Sequence, residues 1–463
     1  MDKQDTIAAI STPLGKSGIG IVRLSGPDAL EITRELFRTE SGRDLAEVKS
    51  HTLHHGLVYD RGSDDPIDEA LFTVMKSPNT YTKEDVVEIN CHGGIVPLRE
   101  TLDLVLENGA RPAEPGEFTK RAFLNGRLTL DQAKSVNDII ESKTRFSLEL
   151  SVDRLEGKFS EFLDSLREEL TSLLAEIEVM IDYPDYEDSM VPREELMKDL
   201  AGIRERIKEF LADSKDGKIL KEGHRVAILG RPNVGKSTLL NTLLEEERAI
   251  VSETPGTTRD TIEAELSING IPFLVTDTAG IRETEGDIER KGVRKAKEQG
   301  EEADLALFLL DAGAGVKDSD IKIAHEMDRK KTVLVLNKID LVHNLSASKF
   351  TDKIGGGWAD VVELSAMEGI GLASLEDALT EMVWGGEVEK DESIVLLNVQ
   401  EKQMLREAVK DLQDAVSALE AGRSIDLVEV DIREGRRKMG RLLGEDLSDE
   451  ILDQVFSQFC VGK

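Results

Sequence analysis

The sequence predicts a multidomain α+β protein with three architectures. These are an N-terminal α+β domain, an α-helical bundle, and an α/β domain with a doubly wound sheet inserted into that bundle. Three observations predict it. Up to about residue 118, short apolar runs are punctuated by Pro and Gly. Stretches before residue 217 and after residue 384 carry apolar residues at three- and four-residue spacing. Between them, strand-like and helix-like segments alternate around one glycine-rich loop.

The bulk properties set limits. The chain has 463 residues, enough for about three domains, and 39% of them are hydrophobic. Aromatics are only 4%, so the cores rest on Leu, Ile, Val and Ala. A formal charge of −33 argues against a general polyanion binder, so any nucleic-acid contact must use local basic patches. The 2 cysteines, Cys91 and Cys460, exclude a disulfide framework and point to a reducing compartment. Met1 to Asp5 is no signal peptide and no apolar run is long enough to span a bilayer, so the expected setting is cytoplasmic, away from membranes.

In the N-terminal domain, residues 1–118, strands are expected at Ile19 to Leu24, Thr52 to Val58, Glu69 to Met75 and Val86 to Asn90. Helical spacing covers Asp28 to Phe37 and Val96 to Glu107. Arg23 and Glu88 are polar residues in strand-like settings. Cys91 and His92 lack a second ligand pair at metal-binding spacing, so Cys91 reads as a buried thiol.

Residues 119–216 form the first part of the helical domain. Phe159 through Met180 follow a 3–4 spacing that stops at Tyr183-Pro184, and Pro192 starts a second run through Phe210. The second part, residues 385–463, has helices over Leu405 to Leu419, Val428 to Leu443 and Leu447 to Phe459. Arg433, Arg436, Arg437, Lys438 and Arg441 are the densest basic cluster. They read as a solvated helix face more readily than as a nucleic-acid site.

The α/β domain, residues 217–384, carries the chemistry. Val226 to Leu229 is a buried strand, followed by Gly230, four residues, and Gly235-Lys236-Ser237. This spacing is a phosphate-binding loop: glycines admit close backbone N–H groups, Lys236 reaches the β- and γ-phosphates, and the Ser237 hydroxyl ligates Mg²⁺. Asn233, Val234 and Thr238 complete the loop. Thr254 to Asp260 is a polar loop in which Thr258 is the second expected Mg²⁺ ligand. Asp277-Thr278-Ala279-Gly280 closes a strand, with Asp277 supporting the Mg²⁺ shell and Gly280 offering an N–H to the γ-phosphate. Asn337-Lys338-Ile339-Asp340 closes another. The Asp340 carboxylate can accept two hydrogen bonds from the N–H groups of guanine, and adenine lacks that donor pair. Ser365-Ala366-Met367 follows a further strand and places the Ala366 N–H for guanine O6. Four such elements in order select GTP. Ile281 follows the D-x-x-G segment where many GTPases carry a water-orienting Gln, so hydrolysis needs another group. Glu283, Glu285, Asp287 and Glu289 are candidates just downstream, a solvated acidic stretch is the alternative, and spacing alone does not choose among them.

These motifs, with the N-terminal GIGIVRLSG run, FTKRAFLNGRLTLDQAK at Phe118 to Lys134, TPGTTRD and the final CVGK, resemble the MnmE (TrmE) family of tRNA-modification GTPases over the whole chain. The resemblance implies a homodimer with a tetrahydrofolate-binding and dimerisation domain at the N-terminus. It implies an FAD-containing partner of the MnmG (GidA) type in a heterotetramer or larger complex. It also implies installation of an aminomethyl or carboxymethylaminomethyl group at carbon 5 of the wobble uridine of certain tRNAs. The one-carbon unit comes from formyl- or methylene-tetrahydrofolate. The family's folate contacts fall on Arg23, Glu88, Arg127 and Lys463, with Lys463 reaching the N-terminal domain across the dimer. Cys460 becomes a redox or catalytic candidate. K⁺ would be ligated by Asn233, Ser252, Thr254 and Thr257, where it neutralises developing charge as an arginine would. Glu289 is the implied water-orienting acid. The competing reading is a GTP-switched ribosome or RNA assembly factor; the N-terminal domain and the tail favour the first.

Overall fold

A computed structural model describes residues 5–39, 47–60, 65–183, 192–216, 220, 223–245, 263–277, 303–384 and 396–463. The chain divides into two compact units. One comprises residues 1–137, 154–204 and 404–463, the other residues 138–153 and 205–403.

The first unit contains a seven-stranded sheet. Its strands are β1 (Ile7–Ile10), β2 (Ser17–Ser25), β3 (Phe37–Thr39), β4 (Thr52–Tyr59), β5 (Pro66–Met75), β6 (Val86–Gly93) and β7 (Arg111–Pro112), in the order β3-β4-β5-β6-β2-β1-β7. Alternation assigns the faces. Val22, Leu24, Phe72, Val74, Val87, Ile89 and Cys91 are buried in one core with residues of the helices Ala29–Leu36 and Ile95–Glu107. The opposite face carries Arg23 directly across from Glu88 in the β2–β6 register. Burial pushes the Cys91 thiol up to about 11, and its Sγ lies 3.4 Å from the Thr101 hydroxyl. Cys91 is 2% exposed, a core thiol as its setting in the sequence suggests.

Beyond the sheet the chain turns helical at Glu117–Leu124, Leu130–Ile140 and Arg145–Glu156. The long helix Lys158–Asp182 buries Phe159, Leu163, Leu166, Leu170, Leu173 and Ile177, and it packs against Ile425–Leu443. The basic cluster lies on the latter helix and is largely neutralised. Arg433 pairs with Glu178 at 3.1 Å, Arg437 with Glu434 at 2.8 Å and Lys438 with Asp411 at 2.6 Å.

A buried ion network locks the start of this helical stretch. Glu117, 1% exposed, accepts from Arg111 Nη2 at 2.6 Å and Arg121 Nη2 at 3.1 Å, and from the Glu114 N–H at 2.9 Å. Burial alone would raise its pKa; the hydrogen bonds from Arg111, Glu114 and Arg121 outweigh burial and hold it below the usual value. A depressed carboxyl contributes stability that is present above its unfolded pKa and is lost as pH falls through the folded one. Urea unfolding followed at pH 7 and at pH 3 should therefore show an acid-labile domain. Glu117→Gln should lose about 3 kcal/mol at pH 7 and much of that acid dependence. An unchanged pH profile in the variant would contradict this assignment.

The second unit holds a six-stranded sheet. The chain passes through β8 (Lys215–Asp216), β9 (His224–Leu229), β10 (Glu263–Ile268), β11 (Ile271–Asp277), β12 (Leu305–Asp311), β13 (Thr332–Asn337), β14 (Asp360–Glu363) and β15 (Leu396–Leu397). The sheet order is β10-β11-β9-β12-β13-β14, with only β10 antiparallel. Strands β9, β12 and β13 are near-continuous apolar runs because helices cover both sides. Val226, Ile228, Leu307 and Leu309 enter one core, and Ala227, Leu229, Phe308 and Leu310 enter the other. Phe146 and Leu150 join the first of these cores.

Candidate nucleotide and tail sites

In an open parallel sheet, ligands sit beyond the carboxyl ends of the strands. The phosphate loop, Asn337 to Asp340 and Ser365 to Met367 gather there. The glycine loop leaves β9 and runs into the helix Lys236–Glu245, whose N-terminus suits an anion. Gly235 has φ +102°, and a Cβ there would lie 2.2 Å from Asn337 Nδ2, so only glycine lets the two loops meet. Lys236 Nζ donates to the carbonyls of Gly230 at 2.8 Å and Arg231 at 2.9 Å, which holds the ammonium over the loop. Ser237 follows at the head of the helix. Asp277 ends β11 in register with Ile228, two residues before Gly230, so its backbone position adjoins the loop. A serine at the head of this helix suits Mg²⁺.

Asn337 ends β13 and ties three segments together. Its Nδ2 donates to Val234 O at 2.8 Å, while its Oδ1 accepts the N–H groups of Lys338 at 2.8 Å and Ala366 at 3.0 Å. The Ala366 N–H thus already has a protein acceptor, and guanine O6 would share that donor. Asp340 is exposed and accepts from the Ser365 hydroxyl at 2.6 Å, which aims its carboxylate. Met367 is 81% exposed beside it. Asn233 takes a left-handed φ of +65°, and its carbonyl accepts Lys338 Nζ at 2.7 Å. Ser252, Thr254, Thr257, Thr258, Thr278, Ala279, Gly280, Ile281, Glu283, Glu285, Asp287 and Glu289 lie outside the described residues.

A second constellation forms in the first unit. Arg23 donates through Nε to Glu88 Oε1 at 2.9 Å and through Nη1 to Gly462 O at 3.0 Å. Ser11 Oγ also donates to Gly462 O at 3.0 Å, and the Gly116 N–H donates to Cys460 O at 3.2 Å. Burial, then the Arg23 charge, pulls the Lys463 ammonium below its usual pKa, while Glu88 opposes both. The tail therefore meets the N-terminal sheet within one chain; the sequence expectation that it arrives from a second copy is not what this contact requires. Arg127 is joined less directly. Its guanidinium stands 4.7 Å from the Tyr81 ring, Tyr81 packs with Phe118, and Arg23 lies over the Phe118 ring at 5.7 Å. Sequence reasoning missed Tyr81 and Phe118 as supports, since nothing in local spacing links them to Arg23. Cys460 is exposed.

Two family models cover nearly the whole chain. "GTP-binding protein TrmE N-terminus" matches residues 6–127, and "MnmE helical domain" matches residues 130–460. The chain belongs to the MnmE (TrmE) family. Among curated relatives, the tRNA modification GTPase MnmE of Carboxydothermus hydrogenoformans is 46% identical over 461 residues, covering 99% of this chain and 100% of the relative. That of Thermoanaerobacter pseudethanolicus is 44% identical over 459 residues, covering 99% of each. The Bacillus subtilis protein is 41% identical over 460 residues, covering 99% and 100%. The two constellations of this MnmE-family chain fall in different units, the nucleotide motifs in one and the tail contact in the other. No helix among the described residues is long and apolar enough to cross a membrane.

Proposed function

We propose that the chain is a GTP hydrolase that serves tRNA modification. The observation that carries the nucleotide half is the convergence of Lys236, Asn337, Asp340 and Ser365 at the carboxyl ends of β9, β13 and β14. Family membership at full length carries the tRNA half.

The finer reading extends that of the sequence. Ser237 and Thr258 hold Mg²⁺, with Asp277 behind them. Asn233, Ser252, Thr254 and Thr257 hold K⁺ when two nucleotide domains dimerise, and Glu289 orients the attacking water. Arg23, Glu88, Arg127 and Lys463 hold a formyl- or methylene-tetrahydrofolate, which supplies the one-carbon unit. The Arg23–Glu88 pair fits such a ligand because it offers a fixed donor and a fixed acceptor on one sheet face. The homodimer works with an FAD-containing protein of the MnmG type on the wobble uridine of certain tRNAs, in the cytoplasm.

The deciding experiment is the nucleoside composition of tRNA from cells lacking this protein. Loss of the carbon-5 modification at the wobble uridine is expected, and an unchanged composition would overturn the reading. For the cation, GTP hydrolysis should be at least 10-fold faster in K⁺ than in Na⁺ at equal ionic strength; equal rates would remove the K⁺ site.

A further inference from the structure

Asp311 belongs to none of the motifs that select GTP, yet it stands among them. It ends β12 directly opposite Asn337 in the β12–β13 register. Its Oδ1 accepts the N–H groups of Gly313 and Ala314, each at 2.9 Å, which fixes the carboxylate plane. Its Oδ2 then accepts Lys338 Nζ at 2.7 Å. The same ammonium donates to Asn233 O at 2.7 Å. Lys338 itself has a left-handed φ of +66°, so its backbone is held in a conformation that non-glycine residues rarely adopt. Its side chain thus runs from the base loop to the phosphate loop between two fixed acceptors.

We propose that Asp311 is a positioning residue for guanine-nucleotide binding, acting through Lys338. A lysine ammonium on a four-carbon stem is a mobile point charge. The half-buried carboxylate confines it, and with it the stem that spans the space between the Asn337–Asp340 loop and Asn233. Burial raises the Asp311 pKa, but the bonds from Lys338, Ala314 and Gly313 overcome this and keep the group ionised at neutral pH. The role rests on the GTP reading above and adds to it a residue that touches no nucleotide.

The test is a double-mutant cycle on the full chain, with equilibrium binding of a fluorescent GDP as readout. Asp311→Asn is expected to weaken binding about 10-fold in the native background. In a Lys338→Met background it should weaken binding less than about twofold, because the group it acts through is gone. Equal losses in the two backgrounds would show a general structural effect and overturn the role, and so would no loss in the native background. Asp311→Ser keeps an acceptor for the Gly313 and Ala314 N–H groups, and serves if the Asn variant folds poorly. It should follow the same pattern, and equal losses would again overturn the role. Failure of the unmodified chain to bind the probe would overturn the GTP reading, and this role with it. Normal binding by the unmodified chain and by Asp311→Asn overturns the role alone.

Discussion

Asp340→Ala is expected to weaken GTP and GDP binding by on the order of 10²- to 10⁴-fold while leaving the protein folded. The Asp340 residue is exposed, and among the described residues its carboxylate accepts from the Ser365 hydroxyl. Removing that carboxylate strands no buried charge but takes the acceptor from the buried Ser365 hydroxyl, so stability should fall by about 1 kcal/mol. Binding is another matter. Two charged hydrogen bonds to the guanine edge, at roughly 1.5–3 kcal/mol each, are lost together. The loss should be the same for the di- and triphosphate, because the phosphates are read at the other end of the site. Discrimination against ATP should fall with it. Titration with labelled GDP and competition by ATP measure both. An Asp340→Ala chain that binds GDP within twofold of the unmodified one would mean that the base is read elsewhere.

If the proposed folate site holds, Gly462→Val is expected to abolish binding of a tetrahydrofolate derivative and to leave GDP binding untouched. Gly462 has φ +89°, and a Cβ there would lie 2.5 Å from Ile10 O and 2.9 Å from Ser11 Cα. Both obstacles are backbone, so they cannot swing aside. A β-branched residue in this region of φ is itself a conformational outlier. The tail must then leave, taking with it the carbonyl that Arg23 Nη1 and Ser11 Oγ share. Lys463 is withdrawn from Arg23 and Glu88. The helix Asp449–Phe456 should stay, because Phe456 and Phe459 are buried against Ala122, Leu128 and Leu130. Isothermal titration with the folate derivative and limited carboxypeptidase digestion measure the two consequences. A variant that binds the derivative normally, with its tail still protected, would show that the glycine is not required.

The legibility of these features in sequence tracks the range of the interactions behind them. Strands β9 and β13 are evident because burial on both faces leaves unbroken apolar runs; β12 is equally apolar but ends in no nucleotide motif and is passed over in the sequence. The nucleotide motifs are evident because each lies at a strand end, where local spacing and chemistry coincide. By contrast, β1 escapes notice. Its four residues, Ile7 to Ile10, include two alanines and carry little strand propensity, and its place comes from pairing with Ile10↔Val22 through Ile7↔Ser25. The break between Glu117–Leu124 and Leu130–Ile140 is likewise hidden inside a helical composition. It falls at Asn125-Gly126, where Gly126 takes φ +67°. Asp311 looks like any acid that ends an apolar run. Only the register that sets it opposite Asn337 reveals its partner. The Arg23–Gly462 contact spans 439 positions, and no pattern of local periodicity can announce it.

That span has a bearing on how the protein is made. A chain emerging from the ribosome can complete the pairing of β2 with β6 early, since Arg23 and Glu88 are 65 positions apart. The second hydrogen-bond partner of Arg23, Gly462, arrives only near the end of synthesis. Until then the guanidinium keeps Glu88 but lacks the Gly462 carbonyl. The contact that completes the hydrogen bonding of Arg23 is thus among the last the growing chain can make.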